Sequence, residues 1–173
     1  GKVHKTEVSN ASRTMLMDLR SLKWNSELLK IFKIPESILP EIESSAHLFG
    51  HTQGLTFLPD GIPITGMIGD QQGALFGQAC FSPGELKCTY GTGAFLLLNV
   101  GEEVPEFVKG LLTTVAYQYK GERCYAIEGS TFIAGAAIQW LRDNLQIIKK
   151  SSEINDLVDP IPPLKEMEQL LFL

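Results

Sequence analysis

One acid and one glycine turn are the parts of this chain best suited to chemistry. Asp70 closes the run Gly66-Met67-Ile68-Gly69-Asp70 and leads into Gln71-Gln72; Thr89-Tyr90-Gly91-Thr92-Gly93 follows shortly after. A carboxylate accepts protons and hydrogen bonds, and glycines let backbone N–H groups come close to an anion. Thr92 adds a hydroxyl donor at the tip of its turn, which suits a phosphate oxygen. Together they lay out a site where a carboxylate meets a phosphate. Each has a plainer alternative. Turn chemistry by itself selects Gly and Thr in a hairpin, and an Asp at the end of a strand also serves as a helix cap.

The flanking text predicts what positions them. The apolar run Ile62 to Ile68 predicts a buried strand ending at Gly69, and Ala74-Leu75-Phe76-Gly77 takes up a helical rhythm. Asp70 then sits where strand turns into helix, the edge at which ligands gather in open α/β sheets. Leu86 to Tyr90 and Ala94 to Val100 read as two strands joined by a tight turn. Further strands are predicted at Leu111 to Tyr119 and Cys124 to Glu128, and a helix from Phe132 to about Leu145. Nearer the start, Ser26 to Phe32 reads as a short helix capped by Asn25 and stopped by Pro35. The Gly- and Pro-rich stretch His51 to Pro63 reads as a linker, which divides the chain into residues 1–61 and 62–173. From about Ser151 the chain changes character, with prolines at 160, 162 and 163 that break any continuing helix and an apolar end at Leu170 to Leu173.

Composition is that of an ordinary acidic globular protein. It is 44% hydrophobic and 20% charged with a net charge of −5, so no basic face is offered to nucleic acid. Cys80, Cys88 and Cys124 are odd in number and lack metal-type spacing, which predicts buried thiols in a reducing compartment, hence the cytoplasm. His4, His47 and His51 form no ligand set. No apolar stretch approaches the roughly twenty residues that span a bilayer, so a soluble protein is expected.

Five separated segments, in order, resemble one family. They are Ser9-Asn10-Ala11-Ser12-Arg13-Thr14-Met15-Leu16, Ile38-Leu39-Pro40-Glu41, Gly69-Asp70-Gln71-Gln72, Tyr90-Gly91-Thr92-Gly93, and Ala134-Gly135-Ala136-Ala137-Ile138-Gln139-Trp140-Leu141-Arg142-Asp143. The text resembles the glycerol kinases among the FGGY carbohydrate kinases. The resemblance implies an α/β fold of the actin-like ATPase, ribonuclease H-like kind, present in part: the end of a first domain and the start of a second. It implies ATP-dependent phosphorylation of glycerol to sn-glycerol 3-phosphate, with Mg²⁺ as cofactor. Asp70 would be the general base, a glycerol contact and the magnesium carboxylate. Gln71 and Phe95 would contact glycerol; Thr92, Gly135 and Gln139 would contact ATP or ADP.

Spacing agrees with the last pair, because Gly135 and Gln139 are four apart and share one helix face. Phe95 also reads as an ordinary strand core residue, and Gly135 among alanines as a close packing point. Against the family pattern, Glu7 stands where Asp is usual, and Gln53-Gly54-Leu55-Thr56 lacks the glycine-rich, basic text of allosteric control. The first-domain phosphate hairpin, the Arg-Glu pair and Tyr that hold glycerol, and a later glycine motif are missing, so the isolated chain is expected to be inactive. A non-catalytic actin-like binding module and a kinase for another small polyol or sugar stay open, as does a homo-oligomer.

Overall fold

The computed structural model describes residues 2–160. In chain order it forms β1 (Lys5–Glu7), α1 (Val8–Ser12), β2 (Met17–Asp18), β3 (Lys23–Trp24), α2 (Ser26–Phe32), a 3₁₀ turn at Glu36–Ile38, β4 (Glu41–Glu43), β5 (Ala46–His51) and β6 (Pro63–Gly66). Then come α3 (Asp70–Gly77), β7 (Leu86–Tyr90), β8 (Ala94–Gly101), β9 (Leu112–Tyr119), β10 (Glu122–Thr131), α4 (Gly135–Asp143) and α5 (Glu153–Val158). Two compact units emerge: residues up to Thr89 with Phe95–Thr131, and Tyr90–Ala94 with the chain from Phe132 onward.

The first unit is built on a four-stranded sheet ordered β7-β8-β10-β9. β9 and β10 pair antiparallel, with an irregularity between Cys124 and Tyr125. Side chains alternate across a strand, so neighbours divide between two cores. Val115 and Tyr125 join Val8 and Ala11 of α1 and Met17, while Ala116, Cys124 and Ala126 join Leu75 of α3, Cys80 and Leu97. Both helices thus pack against β9, the edge strand that carries Thr114.

The helix at Ser26–Phe32 has the predicted cap: the Asn25 side chain accepts from the N–H groups of Glu27 and Leu28 at 2.9 and 3.1 Å. It ends at Lys33, in the left-handed conformation at φ 56°, before Pro35 is reached. β9 and β10 also lie where they were expected.

Three expectations need correction. The run Ile62 to Ile68 holds a strand only over Pro63–Gly66, and all four residues are exposed. β6 pairs with β5 in a two-stranded hairpin outside the main sheet, so its apolar side chains stay largely outside the two cores. Cys88 is exposed, unlike Cys80 and Cys124, because alternation along β7 turns Lys87 inward and Cys88 outward. The helix expected from Phe132 begins at Gly135, after a cap residue, Ala134, with non-helical dihedrals. The apolar end at Leu170 to Leu173 and the prolines at 162 and 163 lie outside the described residues.

Candidate active site

The position of Asp70 is set from beneath. Glu7, fully buried, caps α1: its carboxylate accepts from the backbone N–H groups of Ser9 and Asn10 at 2.8 and 2.6 Å. It also accepts from the Ser9 hydroxyl, Asn10 Nδ2 (2.8 Å) and Ser45 Oγ (2.9 Å). Ser9 Oγ in turn accepts the Gly69 N–H at 2.9 Å. Gly69 is the N-cap of α3, and a β-carbon there would lie 2.5 Å from Gln72 Oε1. Gln72 is itself buried, with its amide on Thr114 Oγ1 at 3.0 Å. A chain of contacts from α1 through Gly69 therefore fixes the residue that follows. Glu7 thereby serves as acceptor for five donors.

Asp70 is the first residue of α3 and is exposed. Its Oδ1 accepts the Gln71 N–H at 2.8 Å and its Oδ2 lies 3.4 Å from Gln71 Nε2. No side chain caps α3, so Asp70 is not the cap; it lies in the first turn, where the helix dipole favours a negative charge.

Beside this pair stands a residue that sequence reasoning missed. Lys87 is 4% exposed, and its ammonium donates to Gln71 Oε1, to Thr89 Oγ1 (2.9 Å) and to the Phe95 carbonyl (3.4 Å). Burial pushes its pKa down, while Glu128, Cys88 and Asp70 oppose that shift. Glu128, also buried, holds Arg13 at 2.9 Å. The available signal was the period-2 alternation of β7, which faces Lys87 and Cys88 in opposite directions. Asp70, Gln71 and Phe95 thus belong to one unit, with Phe95 half-buried.

Thr92, Gly135 and Gln139 belong to the other. There the Gly-Thr-Gly turn closes on itself, Gly91 N–H donating to the Gly93 carbonyl at 2.8 Å. Its carbonyls also receive the start of α4: Ala134 and Ala136 donate to Thr92 at 2.7 and 3.2 Å, and Gly135 to Gly91 at 2.9 Å. A β-carbon on Gly135 would lie 2.5 Å from the Gly91 carbonyl oxygen, so glycine is required there by a close backbone approach. Gln139 is exposed on the same helix, one turn on. The arrangement ties the turn bearing Thr92 rigidly to the helix bearing Gly135 and Gln139.

Among the described residues no three His, Cys, Asp or Glu side chains gather into a cation site. The exposed carboxylate of Asp70 still fits magnesium, which keeps several waters and binds through one or two carboxylates plus substrate phosphates.

Two profiles match the sequence: the N-terminal domain of the FGGY family of carbohydrate kinases over residues 1–77 and the C-terminal domain of that family over residues 86–171. The chain belongs to the FGGY family of carbohydrate kinases. A glycerol kinase of Myxococcus xanthus is 57% identical over 159 residues, 91% of this chain and 32% of that protein. One of Bdellovibrio bacteriovorus is 57% identical over 162 residues, 93% of this chain and 33% of that protein. Among solved structures, Plasmodium falciparum glycerol kinase with ADP superposes with a TM-score of 0.83 at 46% identity, over 91% of this chain and 32% of that one. A ligand-bound xylulose kinase from Lactobacillus acidophilus shares the fold at a TM-score of 0.73 and 18% identity. The actin-like ATPase fold of FGGY kinases is present in part, for the chain spans about a third of the length of these relatives. No helix among the described residues is long and apolar enough to cross a membrane.

Proposed function

We propose that this chain is the part of an ATP-dependent glycerol kinase that carries its general base. The observation that carries this reading is the exposed Asp70 carboxylate at the start of α3, with the Gln71 amide beside it, in a chain 57% identical to a glycerol kinase. A primary alcohol is a poor nucleophile until its proton has an acceptor. Asp70 takes that proton as the glycerol oxygen bonds to the γ-phosphorus, and the bond to the departing ADP breaks. Gln71 hydrogen-bonds a hydroxyl of glycerol, and Phe95 lies against its carbon chain. Thr92 meets the phosphates, while Gly135 and Gln139 receive the nucleotide on one face of α4; their shared attachment to one turn supports that grouping. Mg²⁺, held through Asp70 and the phosphates, would screen phosphate charge. Three free thiols support a cytoplasmic setting.

The test exchanges the matched segment of the Myxococcus xanthus glycerol kinase for this chain and measures ATP-dependent glycerol 3-phosphate formation, with Asp70→Asn as control. The exchange enzyme is expected to turn over, and Asp70→Asn to lower kcat at least a hundredfold while glycerol KM stays within about threefold. Undiminished turnover in Asp70→Asn would refute the base assignment.

A further inference from the structure

Lysine is seldom fully buried, because removing an ammonium from water is costly unless its donors are met. Lys87 is 4% exposed, and its three N–H donors have three acceptors: Gln71 Oε1, Thr89 Oγ1 and the Phe95 carbonyl oxygen. Two of these belong to the residues assigned above to glycerol. The third anchors the ammonium to its own strand.

The contact with Gln71 has a directional consequence. A primary amide can be placed either way round, and its orientation follows from the groups it meets. An ammonium only donates, so the amide end it meets is the oxygen. Nε2 is left as the donor end, where it reaches Asp70 Oδ2 at 3.4 Å. Charges alternate along this line. Arg13 pairs with Glu128 at 2.9 Å, Glu128 attracts Lys87, and Lys87 polarises the Gln71 amide toward Asp70. Glu128 has one oxygen, Oε2, that accepts no hydrogen bond among the described residues, so its buried charge depends on Arg13 and Lys87.

We infer that Lys87 is a positioning residue that locks the Gln71 amide with its NH₂ toward the substrate, so that a glycerol hydroxyl accepts from Gln71 and must aim its own proton at Asp70. This rests on the glycerol kinase reading and deepens it. A hydroxyl oxygen that receives Gln71 Nε2–H keeps its single O–H for another acceptor, and the carboxylate beside Nε2 is that acceptor. Without Lys87 the amide can flip and present its oxygen. The hydroxyl would then donate to Gln71 rather than to the base.

The test uses the exchange enzyme. Lys87→Met removes charge and donors at similar length; Gln71→Glu keeps an acceptor for Lys87, removes the donor end and sets a second carboxylate beside Asp70. Each is expected to raise glycerol KM about tenfold or more and to leave ATP KM within about twofold, the size of one charge-assisted hydrogen bond. Gln71→Glu is expected to unfold at an undiminished urea midpoint, which keeps the test open if Lys87→Met folds poorly. The decisive arm is the double variant: in a Gln71→Ala background Lys87→Met should change glycerol KM less than twofold, because Lys87 acts through Gln71. A tenfold effect persisting in that background overturns the inference, as does an unchanged glycerol KM in Lys87→Met or Gln71→Glu. An exchange enzyme without activity before any of these substitutions removes the glycerol reading and this inference with it.

Discussion

Substituting Glu7 by Gln tests whether a buried acceptor fixes the start of the site. Five donors converge on the Glu7 carboxylate, and they divide between its two oxygens. Oε1 accepts from Asn10 N, Asn10 Nδ2 and Ser9 Oγ, and Oε2 from Ser9 N and Ser45 Oγ. Serine hydroxyls can rotate and accept instead, but a backbone N–H cannot. Each oxygen faces one backbone N–H, so the glutamine amide places its NH₂ against a donor whichever way it turns. At least one buried N–H loses its partner, and the surviving hydrogen bonds lose their charge assistance. A buried donor left unpaired costs about 1–3 kcal/mol, and a bond to a charged group is worth about 1.5–3 kcal/mol, so a loss of about 3 kcal/mol is expected. For a chain of this length that lowers Tm by about 6–12 °C. Urea and thermal unfolding of the chain, followed by far-ultraviolet circular dichroism, measure it. A Glu7→Gln variant within about 0.5 kcal/mol of the parent would refute the claim that the pocket is built for an acceptor only.

Two further substitutions or probes address the rest of the chain. Gly135→Ala places a β-carbon 2.5 Å from the Gly91 carbonyl oxygen, a backbone atom that cannot swing away; the amides of residues 134–136 should lose hydrogen-exchange protection at least tenfold, and unchanged protection would mean the approach is looser than described. Under native conditions a maleimide should modify Cys88 and spare Cys80 and Cys124, which are 6% and 5% exposed and, for Cys124, carry a thiol pushed up by burial. Rapid modification of all three, read by mass spectrometry of the peptides, would contradict the alternation of β7.

Local signals were the ones the sequence expressed well. Asn25 capping Ser26–Phe32 needs only neighbours, and so does the onset of α3 at Asp70 after Gly69. β9 and β10 lie where strands were expected, and their neighbours fall to opposite cores. Burial of Ile62 to Ile68 was misjudged because hydrophobicity states what a strand could bury, not whether a partner layer lies over it. β6 pairs with β5 alone, and Ile62, Ile64 and Ile68 remain 40%, 43% and 37% exposed. Cys88 was misjudged by residue type, whereas its position on β7 decides its direction.

The candidate residues separate along the same line. Asp70, Gln71, Thr92, Gly135 and Gln139 sit in short motifs whose spacing is visible in the chain, but the groups that support Asp70 and Gln71 are buried charges that no spacing in the sequence marks. A buried charge is stable only where several partners surround it, and those partners come from distant parts of the chain. Glu7 draws on Ser45, Lys87 on Gln71 and Phe95, and Glu128 on Arg13. Each of these charges ties a short motif to a remote strand or helix, so replacing one should disturb a motif it does not belong to. That is why the supporting residues were invisible while the residues they support were not: a motif is defined by what is adjacent in sequence, and its rigidity by what is adjacent only after folding.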